Sequence, residues 1–145
     1  MLTYEPAKQA DIEPLFALNR QLIEDYEDLA SIDLPEVLNW VHRNIERNLP
    51  AFCRILWNGE LAGYFCLKPC DGKAELDSLF VLPKFRSLGI GTAVLQKCQQ
   101  EAAPLFLYVF RRNTRALALY QRLGFKIVKE VEKTRYIMEY KNQGC

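Results

Sequence analysis

The chain has 145 residues, half of them apolar, which suits one domain, residues 1–145, around one packed interior. No apolar run approaches the roughly 20 residues needed to cross a bilayer. The opening Met1-Leu2-Thr3-Tyr4-Glu5-Pro6 lacks the basic and apolar regions of a signal peptide, so a cytoplasmic protein is expected. The net charge of +1 hides an asymmetry: residues 1–83 hold 7 basic and 14 acidic side chains, and residues 84–145 hold 12 and 4. That division hints at partners of opposite sign for the two halves, or is a clustering of solvated surface charge.

The first long periodic stretch runs from Asp11 to about Asp28, with Asp11 as N-cap and Ile12, Leu15, Phe16, Leu22, Ile23 and Tyr26 on one face. Pro14 is tolerated in a first turn. Leu34 to Asn48 reads as a second helix, with Pro35 at its start and Pro50 beyond its end. Phe52–Trp57 and Leu61–Leu67 read as strands around Asn58-Gly59, a strong hairpin signal. Asp71-Gly72 marks another turn, followed by a strand from Ala74 to Leu82. The spacing then predicts a helix over Ile90–Ala103, closed by Pro104, and a fully apolar strand over Leu105–Phe110 that suggests a central position. A last helix spans Asn113 to Leu123, with Asn113 as N-cap and Gly124 as the terminating glycine. Strands over Lys126–Val131 and Arg135–Tyr140 complete a β-α-α-β-β-β-α-β-α-β-β order. This is a mixed α/β sheet with helices on both faces.

Five cysteines are present, Cys53, Cys66, Cys70, Cys98 and Cys145, with no Cys-x-x-Cys and no histidine cluster to complete a metal site. Reduced, mostly buried thiols are expected, with no metal. His42, the single histidine, lies in a helical stretch and reads as a surface or packing residue, which leaves Ser/His/Asp and Cys/His mechanisms without support.

The chemistry concentrates in Arg86-Ser87-Leu88-Gly89-Ile90-Gly91, between the strand ending Leu79-Phe80-Val81 and a helix. Strand, glycine-rich turn and helix N-terminus present backbone N–H groups to a phosphate. A P-loop would need a lysine after the last glycine, and Thr92 stands there. A dinucleotide turn would need Gly or Ala at Val94, and the stretch follows three antiparallel-type strands.

The stretch Val81-x-Pro83-x-x-Arg86-x-x-Gly89-Ile90-Gly91 resembles the acyl-CoA signature of the GNAT superfamily of N-acyltransferases. Val109-x-x-x-Asn113-x-x-Ala116-x-x-x-Tyr120-x-x-x-Gly124-Phe125 is similar to that family's C-terminal block, and length and element order agree over essentially the whole chain. Ser87 departs from the glycine many members have there; its N–H remains available. The resemblance implies a GNAT-like, mostly antiparallel α/β sheet and an enzyme that uses acetyl-CoA as cosubstrate. It implies that N–H groups from about Arg86 through Ser87, Leu88, Gly89, Ile90 and Gly91, with Thr92, hold the CoA pyrophosphate. Pantetheine would lie along Leu79, Phe80 and Val81, in a gap opened by a strand bulge, with the Val81 backbone N–H as a partial oxyanion hole. Asn113 and Ala116 would flank pantetheine, Asn113 serving as N-cap at the same time.

Tyr120 matches the family tyrosine that protonates the leaving thiolate, a step open to a phenol of pKa about 10; it also reads as one apolar-face residue among Leu117, Leu119 and Leu123. Glu75, six residues before Val81, resembles the base glutamate of the histone-acetyltransferase branch. Asp77 shares its strand face, and paired carboxylates raise one pKa. Ordinary exposed strand charges, with a water chain as base, are the other reading. Glu24, Asp25, Glu27, Asp28, Asp33 and Glu36 cluster at the junction of the first two helices, which in this fold borders the acceptor site. They form a rim attracting a cationic amine (polyamine-like, aminoglycoside-like or a lysine-bearing peptide), or a solvated helix face. Direct transfer in a ternary complex is expected, since no cysteine stands at an obvious acyl-enzyme position. A non-catalytic acyl-CoA-binding or sensing module is the alternative, and a subunit active only with a partner a further one. A homodimer is also open; nucleic acid and membrane partners are not expected.

Overall fold

A computed structural model of the chain describes residues 1–141; Cys145 lies outside them. Among the described residues, seven strands and four α-helices follow in the expected order. These are β1 (Leu2–Pro6), α1 (Ile12–Tyr26), α2 (Leu34–Arg47), β2 (Phe52–Trp57), β3 (Glu60–Cys70), β4 (Lys73–Val81), α3 (Ile90–Ala102), β5 (Leu105–Phe110), α4 (Thr114–Arg122), β6 (Lys126–Val131) and β7 (Arg135–Tyr140). The strands form one sheet in the order β1-β2-β3-β4-β5-β7-β6. Every neighbouring pair is antiparallel except β4 and β5. Asn58-Gly59 and Asp71-Gly72 make the tight turns read from the sequence, all four residues at positive φ.

The sheet carries a hydrophobic layer on each face. On one side Ile90, Val94, Leu95 and Cys98 of α3 bury against Leu105, Leu107, Val109 and Met138, with α4 packed beside them through Ala116, Leu119 and Leu123. On the other, Ile12, Leu15 and Ile23 of α1 and Val41 and Ile45 of α2 bury against Phe52, Tyr64 and Cys66. Packing rather than propensity secures α3. Gly91 costs a helix about 1 kcal/mol, whereas full burial of Val94 and of Leu95 contributes about 1.5–3 kcal/mol each.

Two expectations need correction. Asp11 stands at the start of α1 but does not cap it with its side chain. It is buried, accepting from the Lys8 N–H (2.8 Å) and the Tyr64 hydroxyl (2.7 Å), so tertiary partners outcompete the local cap. Strand β3 runs to Cys70 rather than Leu67, because Lys68, Pro69 and Cys70 continue the ladder opposite Glu75, Ala74 and Lys73. Strand β5 is central as expected, between β4 and β7, with Leu105, Leu107 and Val109 buried on one face and Tyr108 45% exposed on the other. Phe110 of β5 packs against the α1–α2 layer.

Candidate active site

The site begins with a fault in the sheet. Cys66 faces Ser78 and Leu67 faces Leu76, so Asp77 is the extra residue of a bulge in β4. Parallel pairing of β4 with β5 is confined to Ala74 with Leu105 and Glu75 with Phe106. Beyond Glu75 the two strands part. At the end of β4 the Leu82 N–H donates to the Ala62 carbonyl on the β3 side (2.8 Å). Successive N–H groups of a strand point to opposite edges, so the Val81 N–H points into the gap.

Gly63 makes this end of β4 possible. A Cβ there would lie 2.0 Å from the Phe80 carbonyl oxygen, so only glycine lets the strands approach this closely. Arg86 fastens the following loop to the strand, its Nε donating to the Val81 carbonyl (3.2 Å). Ser87 (φ 69°) and Gly89 (φ 79°) both take the left-handed conformation, and such a turn curls successive N–H groups into an anion-binding concavity. Gly89 is the N-cap of α3 and offers no side-chain cap. Among the described residues no backbone group accepts from the N–H groups of Ser87 to Thr92, whereas the Arg86 N–H is used by Pro83 (3.3 Å). Free N–H groups, the positive end of α3 and glycine-permitted close approach together fit a pyrophosphate.

A cleft of about 610 Å³ joins these parts. Of the residues singled out from the sequence, Leu79, Phe80, Val81, Arg86, Ser87, Gly89, Ile90, Gly91, Thr92, Asn113 and Ala116 line it. Asn113 caps α4 as expected, its Oδ1 accepting from the Ala116 N–H (3.2 Å). Leu88 is outside the lining, half-exposed on the loop. Tyr120 also lies outside it: the ring packs edge-on against Phe125, centroids 5.8 Å apart, and burial pushes the phenol up to about 12.

Glu75 and Asp77 are not in the cleft lining. Ala74 and Leu76 are buried toward α3, so the alternation of a strand sends both carboxylates to the opposite face. Burial raises the Glu75 carboxyl above the ordinary carboxylate range, and the charge of Asp77 adds to this, with Lys68 opposing. Asp77 stands 3.8 Å from the Lys68 ammonium. Burial also pushes the Cys66 thiol up to about 12 and the Cys98 thiol to about 11. Among the described residues no cluster of His, Cys, Asp or Glu is placed to hold a metal, and no helix is long and apolar enough to cross a membrane. His42 binds Glu13 and Glu46 between α1 and α2 and packs edge-on against Phe16.

Of the acidic rim expected at the junction of the first two helices, Asp25 lines the cleft, and the rest of that wall was not anticipated. Leu18, Gln21, Leu22, Asp25 and Tyr26 of α1 line the cleft; Leu22 and Tyr26 were legible as apolar-face residues of this helix, whereas polar Gln21 carried no signal. Arg115, Leu119 and Arg122 of α4 line it too. Their cationic members complement the polyphosphate that the loop suits. The acidic junction resolves into separate roles. Asp28 caps a short 3-10 turn and binds Ser31, Asp33 caps α2, Glu24 pairs with Arg20, and Asp25 accepts from Gln21.

The family model of the Acetyltransferase (GNAT) family matches residues 15–125. The chain belongs to the GNAT family of acyl-CoA-dependent N-acetyltransferases. Among its relatives, Peptidyl-lysine N-acetyltransferase YiaC of Escherichia coli strain K12 is 38% identical over 71 residues, 49% of this chain and 47% of that protein. The match thus spans about half the length of that relative. Peptidyl-lysine N-acetyltransferase YjaB of the same strain is 29% identical over 115 residues, 79% of this chain and 67% of that protein. The fold superimposes on the PaiA N-acetyltransferase of Thermoplasma acidophilum, solved in complex with coenzyme A, with a TM-score of 0.70 and 23% identity over 97% of this chain and 99% of that one.

Proposed function

We propose that this chain, acting as a single catalytic domain over residues 1–145, moves the acetyl group of acetyl-CoA directly to a primary amine in a ternary complex. The observation behind this reading is the parting of β4 and β5 beside a helix start with open N–H groups. The loop from Ser87 to Thr92 holds the pyrophosphate, and pantetheine runs along Leu79, Phe80 and Val81 between the parted strands. The amine nitrogen attacks the thioester carbonyl carbon, and the Val81 N–H receives the oxyanion. The C–S bond then breaks, leaving an amide and a thiolate. Tyr120, one residue from the cleft-lining Leu119, supplies a proton to that thiolate; its raised pKa keeps the phenol protonated across neutral pH. Glu75, with Asp77 beside it, takes the proton from the amine, its raised pKa bringing the carboxylate closer to the working pH. Raised thiol pKa values keep Cys66 and Cys98 from forming nucleophilic thiolates, which favours direct transfer over an acyl-enzyme. The acceptor is a cationic amine (a lysine-bearing peptide, a polyamine or an aminoglycoside), drawn by the carboxylates of the α1–α2 junction, of which Asp25 lines the cleft.

Titration with acetyl-CoA followed by thiol release across a panel of lysine peptides, polyamines and aminoglycosides tests this reading. Saturable binding with turnover on at least one amine is the expected result; binding with no turnover on any amine leaves an acyl-CoA-binding module instead. The acid limb of kcat/KM should have its midpoint above the ordinary carboxylate value, because Glu75 must be ionised to act and its pKa is raised. Glu75→Gln should remove that limb and lower the rate on the order of a hundredfold. An unchanged limb in the variant would dismiss Glu75 as base.

A further inference from the structure

Helix α4 presents its cleft-lining residues in a fixed order. The chain leaves the end of β5 beside the parted strands and enters α4, where Asn113 and Ala116 line the cleft. Leu119, about one turn further on, adjoins the first turn of α3: a Cβ on Gly91 would lie 3.7 Å from its Cδ2. Arg122 follows on the same side of the helix and lines the cleft beyond that contact. The Leu123 carbonyl next to it accepts from the Gln99 amide of α3 (2.7 Å), which fixes this end of α4 against its neighbour.

Four charged side chains line the cleft, Asp25, Arg86, Arg115 and Arg122, so three cations stand against one carboxylate. Asp25 accepts from the Gln21 amide on the α1 wall (2.8 Å). Arg86 is turned back onto the Val81 carbonyl. Among the described residues, neither Arg115 nor Arg122 lies within salt-bridge distance of a carboxylate. Both are exposed along the cleft, two turns and about 10 Å apart along the helix axis.

CoA brings more phosphate than the loop can serve. The N–H groups of Ser87 to Thr92 suit the pyrophosphate. The 3′-phosphate on the ribose is a separate monoester with about two negative charges at neutral pH, and it needs its own partner. Along the CoA molecule, pantetheine, pyrophosphate and 3′-phosphoadenosine follow one another. Along α4 the cleft residues run from the strand gap, through Leu119 at the loop, to Arg122. Resting on the CoA placement proposed above, we infer that Arg122 binds the 3′-phosphate and makes this enzyme select CoA over forms that lack it. A guanidinium meets a phosphate through two parallel N–H donors, a geometry that a lone ammonium does not reproduce. Arg115, two turns back toward the gap, adds positive potential to the whole cleft without touching that phosphate.

The test compares binding of acetyl-CoA and acetyl-dephospho-CoA, which differ only in the 3′-phosphate, by calorimetric titration at one ionic strength. The unaltered protein should bind acetyl-CoA on the order of tenfold tighter. Arg122→Gln should bring the two affinities within about twofold of each other by weakening acetyl-CoA, with its thermal midpoint showing that it is folded. Arg122→Lys, which keeps the charge and loses the fork, should retain part of the preference. Arg115→Gln should weaken both ligands together and leave their ratio in place. Equal affinities in the unaltered protein, a preference that survives in Arg122→Gln, or a loss in that variant that falls equally on both ligands overturns the inference and leaves the CoA site intact. Failure of both ligands to bind the unaltered protein overturns the placement of CoA itself, and the inference with it.

Discussion

Helices α3 and α4 begin at the same cleft and solve the same problem in opposite ways. Each leaves its first N–H groups without partners inside the helix. At α4 the chain supplies its own acceptor, the Asn113 side chain on the Ala116 N–H. At α3 the cap is Gly89, which has no side chain to offer, preceded by the left-handed Ser87. One start is closed by the protein and the other is left for an anion. Both are followed by helices that the core holds in place, so the open start is not a weak point: buried Val94 and Leu95 stabilise α3 whatever its first turn lacks.

The sharpest way to break this contrast is Gly91→Glu. Only the Leu119 side chain lies within reach of a new Cβ, at 3.7 Å, an ordinary contact, so the fold should persist. The added carboxylate would occupy the anion's place, and acetyl-CoA affinity should drop on the order of a hundredfold. An unchanged Kd by titration would move the CoA site away from this loop. The mirror experiment is Asn113→Ala at the closed start. Losing the cap should lower unfolding stability by about 1 kcal/mol in urea, with CoA affinity changed several-fold at most. A loss of affinity as large as that of Gly91→Glu would mean that α4 too serves as an anion site. Smallest and opposite in sign is Ser87→Gly. A non-glycine residue at φ 69° is strained, and relieving it should raise stability by about 0.5–1 kcal/mol while leaving the N–H concavity intact. Lower stability in the variant would show that the Ser87 hydroxyl, rather than its backbone, holds the loop.

Much of this architecture was legible in the residues. Asn58-Gly59 and Asp71-Gly72 announced their hairpins because positive φ at both turn positions is cheap only for such residues. The cap at Asn113, and β2, β5, β6 and β7 with their bounds, followed from local pattern. The hairpin at Glu132-Lys133 carried no such signal, since neither residue favours the conformation it holds. The loop from Arg86 to Thr92 was found through its glycines. Gly63 was not, because its requirement comes from Phe80, a residue on another strand. Asp11 misled for the same reason: a good local cap was drawn away by Tyr64, 53 positions along the chain.

What the sequence determined by itself was therefore the set of elements, their order, the turns between them and the loop poised for a phosphate. Each of these depends on dihedral preferences and hydrogen bonds between residues a few positions apart. Only the tertiary structure decided where β4 leaves β5, that α1 walls the cleft, that Tyr120 packs on Phe125 beside the cleft lining, that the acidic junction is largely engaged, and that Tyr108 of β5 stays exposed beneath Arg135. Those outcomes arise where elements distant in sequence compete for the same space and the same polar partners, and that competition is settled by packing.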